Sequence, residues 1–149
     1  MLNCTIRDMS EGDLTIIDQI EKSCFVAPWK KEDILTELNE NPYSTLLVAE
    51  LDGSVIGFAD FWITFESATI CQIAVLPKYQ RNHVGSMLID EILKECKIKR
   101  VNHLTLEVRE SNNKGIGFYQ KYGFKTVLVK EHYYTNGENA LYMVKEIAL

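Results

Sequence analysis

Long apolar runs are missing from this sequence. No segment approaches the roughly 18 unbroken apolar residues of a membrane-spanning helix. The opening MLNCTIRDMSEGD lacks the basic start and apolar middle of a secretory signal. Cysteine is scarce: four in 149 residues, far apart, with no C-x-x-C pair and no histidine beside them at zinc spacing. That pattern predicts neither a disulfide framework nor a zinc site, but reduced, mostly buried thiols in a cytoplasmic protein. The three histidines are scattered, His103 reads as structural, and no metal site is expected. Basic charge is in the minority, 16 residues against 21 acidic ones, for a net charge of −5. Phosphate binding rests on Lys and Arg, so nucleic acid is not the expected partner. A cationic substrate fits better. The densest basic run, KECKIKR at 94–100, suits a solvated helix end, where cations complement the helix dipole. Repeats, low-complexity runs and linkers are also missing, and one domain over 1–149 is expected. With 46% hydrophobic and 25% charged residues, a chain this long buries about two-thirds of the surface it exposes when unfolded.

What is there is an ordered series of elements. CTIRDM reads as a first strand. Ser10 then serves as N-cap with Asp13 three residues on, a weaker capping box. Leu14, Ile17, Ile20 and Cys24 follow on one helical face. A second, short helix starts near Lys31 and ends near Asn41 and Pro42. Asp52-Gly53 between two apolar strands is a strong hairpin signal. ATICQIAVL is a further strand. VGSMLIDEILKECKI puts Val84, Leu88, Ile92 and Cys96 on one helix face. A strand at VNHLTLEVRE, a short helix stopping at Gly123, and two strands around an Asn136-Gly137 turn complete the chain. The order β-α-α-β-β-β-α-β-α-β-β combines a meander with a strand-helix-strand crossover. It predicts an α/β (α+β) fold with a mixed sheet.

The connection YQRNHVGSML, 79–88, holds a single glycine. It is neither a Walker A loop nor a Rossmann fingerprint. A strand feeding a helix through a tight turn nonetheless aims several backbone N–H groups at one point, where the helix adds about half a positive charge. Gly85 is well placed where the backbone needs positive φ or close approach. His83 stands where a second glycine would be convenient. His and Asn tolerate the left-handed region better than most residues, at a strain of about 1–2 kcal/mol. On spacing alone, an ordinary strand-to-helix turn remains the simpler reading.

IAVLPKYQRNHVGSMLIDEIL followed by LTLEVRESNNKGIGFYQKYGF resembles the two central motifs of the Gcn5-related N-acetyltransferases (GNAT). That family's loop pattern is Q/R-x-x-G-x-G/A. Gln80 and Gly85 match it, and His83 replaces the first glycine. Within the family, APW at 27–29, IAVLPKYQR, LEVRESN and YYTNGENALYM resemble the bacterial ribosomal-protein alanine N-acetyltransferases of the RimI type. These acetylate the N-terminal amine of a small-subunit ribosomal protein. That branch often has a proline after the paired tyrosines, where this chain has Thr135.

The resemblance implies a mostly antiparallel central sheet of about seven strands with about four helices and splayed central parallel strands. It implies acetyl-CoA as cofactor and a peptide or protein N-terminus, a ribosomal protein's, as partner. No nucleic acid or membrane partner is implied, and the chain is expected as a monomer or weak homodimer. Glu107 is the proton acceptor by resemblance; strand alternation sets it opposite Leu106 and Val108. Tyr119 matches the family's acid, while Tyr122 is expected only to pack. Backbone groups of Ile73, Ala74 and Val75 would pair with the pantetheine amides, and Arg81, Asn82, His83, Val84, Gly85 and Ser86 would hold the pyrophosphate. Asn112 matches a pantetheine contact, with helix capping as its plainer reading. Trp29 and Tyr134 are candidate substrate walls, each equally readable as packing. Glu138 and Glu66 are acidic groups near which a cationic peptide could settle, neither assigned a role. Two other readings stay open: a GNAT enzyme acting on a small amine or lysine side chain, and a non-catalytic acyl-CoA sensor. The presence of both Glu107 and Tyr119 speaks against the sensor.

Overall fold

A computed structural model describes residues 3–149. Met1 and Leu2, the start of the segment lacking a secretory signal, lie outside the described residues. Seven strands and four α-helices follow the expected order: β1 (Thr5–Asp8), α1 (Leu14–Cys24), α2 (Lys31–Glu40), β2 (Ser44–Leu51), β3 (Ser54–Thr64), β4 (Ser67–Val75), α3 (Val84–Ile98), β5 (His103–Arg109), α4 (Asn113–Lys121), β6 (Lys125–Lys130) and β7 (Ala140–Glu146). They form one mixed sheet in the order β1-β2-β3-β4-β5-β7-β6. Among the described residues only β4 and β5 run parallel, as the crossover through α3 requires. Among the described residues, no helix is long and apolar enough to cross a membrane.

Local chemistry explains the boundaries. The Asp52-Gly53 turn has φ values of 50° and 83°, the two positive angles of a type I′ hairpin, and Leu51 faces Ser54 across it. Before α1, the Asp13 carboxylate accepts from the Ser10 backbone N–H at 2.9 Å, which is one half of the expected capping box. Its oxygens are also gripped by Arg7 at 2.9 and 3.0 Å. α4 ends where the Gly123 N–H reaches the Gln120 carbonyl and the Phe124 N–H reaches that of Tyr119. The Asn136-Gly137 turn differs from its reading as a direct strand connection. Nine residues separate β6 from β7, and the turn is an inner loop closed by the Gly137 N–H on the Tyr134 carbonyl.

The sheet has an apolar cluster on each face. One joins Val84, Leu88, Ile89 and Ile92 of α3 to Ile70, Leu104, Leu106 and Val108 of the sheet, with Phe118 and Tyr119 of α4 and the following Tyr122 against it. The other joins Ile17 and Ile20 of α1 and Ile34 of α2 to Leu46, Val48, Phe58 and Ala74. Each fully buried side chain of this kind contributes about 1.5–3 kcal/mol. All four cysteines are free; Cys4 and Cys96 are buried, while Cys24 and Cys71 are only half-buried.

Candidate active site

The parallel pairing of β4 and β5 is short. It runs from Ser67 opposite His103 to Ile70 opposite Leu106, and stops. The next residue of β4, Cys71, is the extra residue of a bulge: Asp60 faces Gln72 while Phe61 faces Ile70. A bulge bends and twists the strand that carries it. Beyond it, Gln72–Val75 follow β3 alone, and Glu107–Arg109 follow β7 alone. A gap therefore opens between two strands at the centre of a continuous sheet.

Backbone groups face this gap. The Leu76 N–H donates to the Ile56 carbonyl at 2.8 Å, in phase with the β3–β4 register. Antiparallel ladders alternate, so Ala74 turns its backbone groups to β3, and those of Ile73 and Val75 turn to the gap. Of the three residues expected to pair with pantetheine, Ala74 thus presents its backbone to β3 instead. The Val75 carbonyl already accepts from Gln80 Nε2 at 2.9 Å and from Cys24 Sγ at 3.3 Å.

At the end of β4 the chain enters α3. Arg81 and His83 both have φ of 64°. Gly85 does not need positive φ, contrary to one of the two reasons offered for it; it lies within the first turn of α3. The other reason holds. A Cβ there would come within 3.3 Å of the Phe118 ring, so the glycine lets α3 approach α4. The N–H groups of residues 81–86 find no acceptor among the described residues, the helix ladder starting only with Met87 on the His83 carbonyl. Six donors without a protein acceptor thus sit at the positive end of a 15-residue helix, a place that favours an anion.

The two candidate catalytic side chains lie on opposite faces of the sheet. Glu107 shares its face with Thr105 and Arg109, away from Leu106 and Val108. Lys130 Nζ forms an ion pair with Glu107 Oε2 at 3.0 Å. That ammonium also sits 5.3 Å from the centre of the Tyr133 ring and 5.0 Å from that of Tyr142. Tyr119 belongs to the α3–α4 face, its ring edge-on to Phe118 at 5.4 Å and to Phe124 at 5.7 Å. Burial pushes its phenol above the usual tyrosine range, which keeps the proton on. Its hydroxyl has no hydrogen-bond partner among the described residues. Tyr122 packs as expected, its hydroxyl 3.3 Å from the Ser86 carbonyl.

The surrounding residues fall into two groups. Tyr134 lies on the Glu107 side, its ring 3.9 Å beneath the Arg109 guanidinium and edge-on to Tyr133 at 5.1 Å. Glu138 anchors their loop: it pairs with Arg109 at 3.1 Å and accepts from the Ser111 N–H at 2.9 Å. These contacts lower its carboxyl to about 2. Trp29 lies on the α1–α2 side, half-buried, its N–H on Glu21 Oε1 at 2.7 Å. Asn112 caps α4 through its Oδ1 on the Gly115 N–H at 3.0 Å. Glu66 lies exposed in the β3–β4 turn. Sequence reading missed Glu21 and Asp60, both fully buried. Each had a signal: Glu21 sits four residues after Ile17 on the buried face of α1, and Asp60 interrupts the apolar run VIGFADFWITF.

The sequence model of the acetyltransferase (GNAT) family matches residues 14–124. The chain is 40% identical over 139 residues to a Bacillus subtilis protein provisionally named ribosomal protein bS18-alanine N-acetyltransferase, covering 93% of this chain and 92% of that one. The crystal structure of the Escherichia coli ribosomal-protein-S18-alanine N-acetyltransferase superposes with a TM-score of 0.89 at 29% identity, over 99% of this chain and 96% of that one. That of Ard1 from Thermoplasma volcanium superposes with a TM-score of 0.92 at 31% identity, over 98% and 99%.

Proposed function

The chain belongs to the acetyltransferase (GNAT) family and is an N-acetyltransferase; on that premise we propose that its acceptor is the α-amino group of the N-terminal alanine of ribosomal protein bS18, and its donor acetyl-CoA. The observation that carries this reading is the divergence of β4 and β5 one residue before Glu107, beside six unpaired N–H groups.

Acetyl-CoA supplies an acetyl group already activated as a thioester. The N–H groups of Arg81, Asn82, His83, Val84, Gly85 and Ser86 hold its diphosphate, and the open edge at Ile73 and Val75 pairs with the amides of its arm. Asn112 keeps its Nδ2 for that arm while its Oδ1 caps α4. A backbone N–H of the open β4 edge polarises the reacting carbonyl. Glu107, directly or through water, takes a proton from the acceptor amine, which attacks only when neutral. An α-amine with pKa about 7.7–8.0 costs about 1 kcal/mol to neutralise at pH 7, whereas a lysine near 10.4 costs several. Tyr119 gives its proton to the departing sulfur from the other side of the gap. Before the acceptor arrives, Lys130 supplies the cation beside Glu107. Trp29 and Tyr134 wall the approach. One catalytic domain over 1–149, working in the cytoplasm where ribosomal proteins are made, completes the proposal.

Mass spectrometry after incubation with acetyl-CoA and a peptide panel tests it. The panel holds the free N-terminal peptide of bS18, peptides starting with Ser and Met, and N-blocked peptides bearing lysine. A single acetyl on the alanine α-amine is the expected product. Acetylation of lysine alone would overturn the acceptor assignment.

A further inference from the structure

We propose that Glu21 is the positioning residue of the acceptor loop, tying the segment between α1 and α2 to the open part of β4. The inference rests on the acceptor side assigned above. Residues 25–30 connect the two helices, and Val26, Ala27 and Pro28 are exposed. Among the described residues, the backbone between Phe25 and Lys30 makes one hydrogen bond to the body of the protein, from the Trp29 N–H to Glu21 Oε1 at 2.7 Å. The same oxygen accepts from Gln72 Nε2 at 3.3 Å. Gln72 lies on β4 just after the bulge, within the stretch that has left β5. One turn further along α1, Cys24 Sγ contacts the carbonyl of Val75 on that stretch. The last turn of α1 thus holds the Trp29 loop with one side chain and the donor-facing strand with two.

Glu21 is fully buried, and no ion pair is recorded for it among the described residues. Packing alone does not call for an acid here. At this tie two buried oxygens, Glu21 Oε2 and Gln72 Oε1, have no partner among the described residues. A carboxamide at position 21 would keep an oxygen for the Trp29 N–H and offer an N–H to Gln72 Oε1. The role assigned to Glu21 is therefore geometric, through its accepting oxygen. Its charge is not part of that role.

Three variants and one exchange measurement test this. Glu21→Ala removes the acceptor, Glu21→Asp withdraws it by one methylene, and Glu21→Gln keeps it. The bS18 N-terminal peptide is expected to show a KM raised about tenfold in Glu21→Ala and Glu21→Asp, with kcat and the acetyl-CoA KM within about twofold. Glu21→Gln is expected within about twofold of the unmodified enzyme in all three. By hydrogen exchange followed by NMR, the Trp29 amide of the unmodified protein is expected to exchange about tenfold more slowly than that of Ala27, and to lose this protection in Glu21→Asp. Should Glu21→Ala fail to fold, Glu21→Asp decides. An unchanged peptide KM in the shortened variants overturns the proposal. So does a Glu21→Gln enzyme as impaired as Glu21→Ala, or a Trp29 amide that exchanges as fast as Ala27 in the unmodified protein. If the unmodified enzyme acetylates no peptide, the acceptor assignment has failed instead, and the exchange rates still decide whether the tie exists.

Discussion

Glu21 and Asp60 are fully buried carboxylic acids, and Glu21 keeps one oxygen unpartnered among the described residues. Burial raises Glu21 to about 7, against hydrogen bonds from Trp29 and Gln72. Burial and the neighbouring Glu37 raise Asp60 to about 8. Glu37 is itself held low: its burial is outweighed by hydrogen bonds from Asp60, Asn41 and Trp62. A carboxyl with a raised folded-state pKa binds its proton more tightly folded than unfolded, so stability falls as pH rises from the unfolded toward the folded value. Unfolding free energy is expected to drop between about pH 4.5 and pH 8. In Glu21→Gln the part of that drop below about pH 7 should shrink, leaving the share of Asp60; urea titrations at a series of pH values measure it. Tyr119→Phe removes a hydroxyl that has no protein partner. Stability is expected to change by less than about 1 kcal/mol, while kcat falls about a hundredfold. Thermal unfolding and steady-state rates on one preparation separate the two effects. At this scale the placing of Glu107 on a strand and Tyr119 on a helix, and the packing of Tyr122, were readable because short motifs carry them. Glu21 was passed over because apolar spacing was followed along α1, and the carboxylate on the same stripe was read through.

The turn into α3 holds two left-handed side chains, Arg81 and His83, where a loop richer in glycine would be relaxed. His83→Gly is expected to raise stability by about 0.5–1 kcal/mol, the relief of strain being partly offset by a freer unfolded chain. Acetyl-CoA affinity should stay within about twofold, because the cradle consists of backbone donors. Calorimetric unfolding and titration with acetyl-CoA check both. Among the elements, α3 was legible to the residue, since its apolar stripe begins and ends with the helix. The Asp52-Gly53 hairpin was equally legible, since the turn type demands that dipeptide. The β6–β7 connection was not. Asn136-Gly137 signals a tight turn, but Glu138 draws the loop onto Arg109 and Ser111, and Tyr134 stacks under that arginine. The two partners of Glu138 are 27 and 29 residues away in sequence and meet it only in the folded sheet.

Across the whole molecule, one gap in one sheet gives the fold its chemistry. The parallel pair follows from the crossover from β4 to β5 through α3, whereas the insertion of β7 between β5 and β6 is not dictated by the connections. Where the pair separates does not follow from pattern, because the bulge at Cys71 adds a residue that the apolar run ATICQIAVL does not mark. That bulge places Glu107 just past the last paired residue, on the face opposite Tyr119. The central claim is that this carboxylate relieves the acceptor amine of its proton. Steady-state turnover of Glu107→Gln on the bS18 peptide from pH 7 to pH 9.5, with acetyl-CoA affinity measured alongside, tests it most directly. The account predicts kcat reduced about a hundredfold or more at pH 7. The deficit should narrow as the amine, with pKa about 7.7–8.0, loses its proton to solvent. Acetyl-CoA affinity should stay within about twofold throughout. Turnover equal to that of the unmodified enzyme at pH 7, or a deficit as large at pH 9.5 as at pH 7, would contradict it.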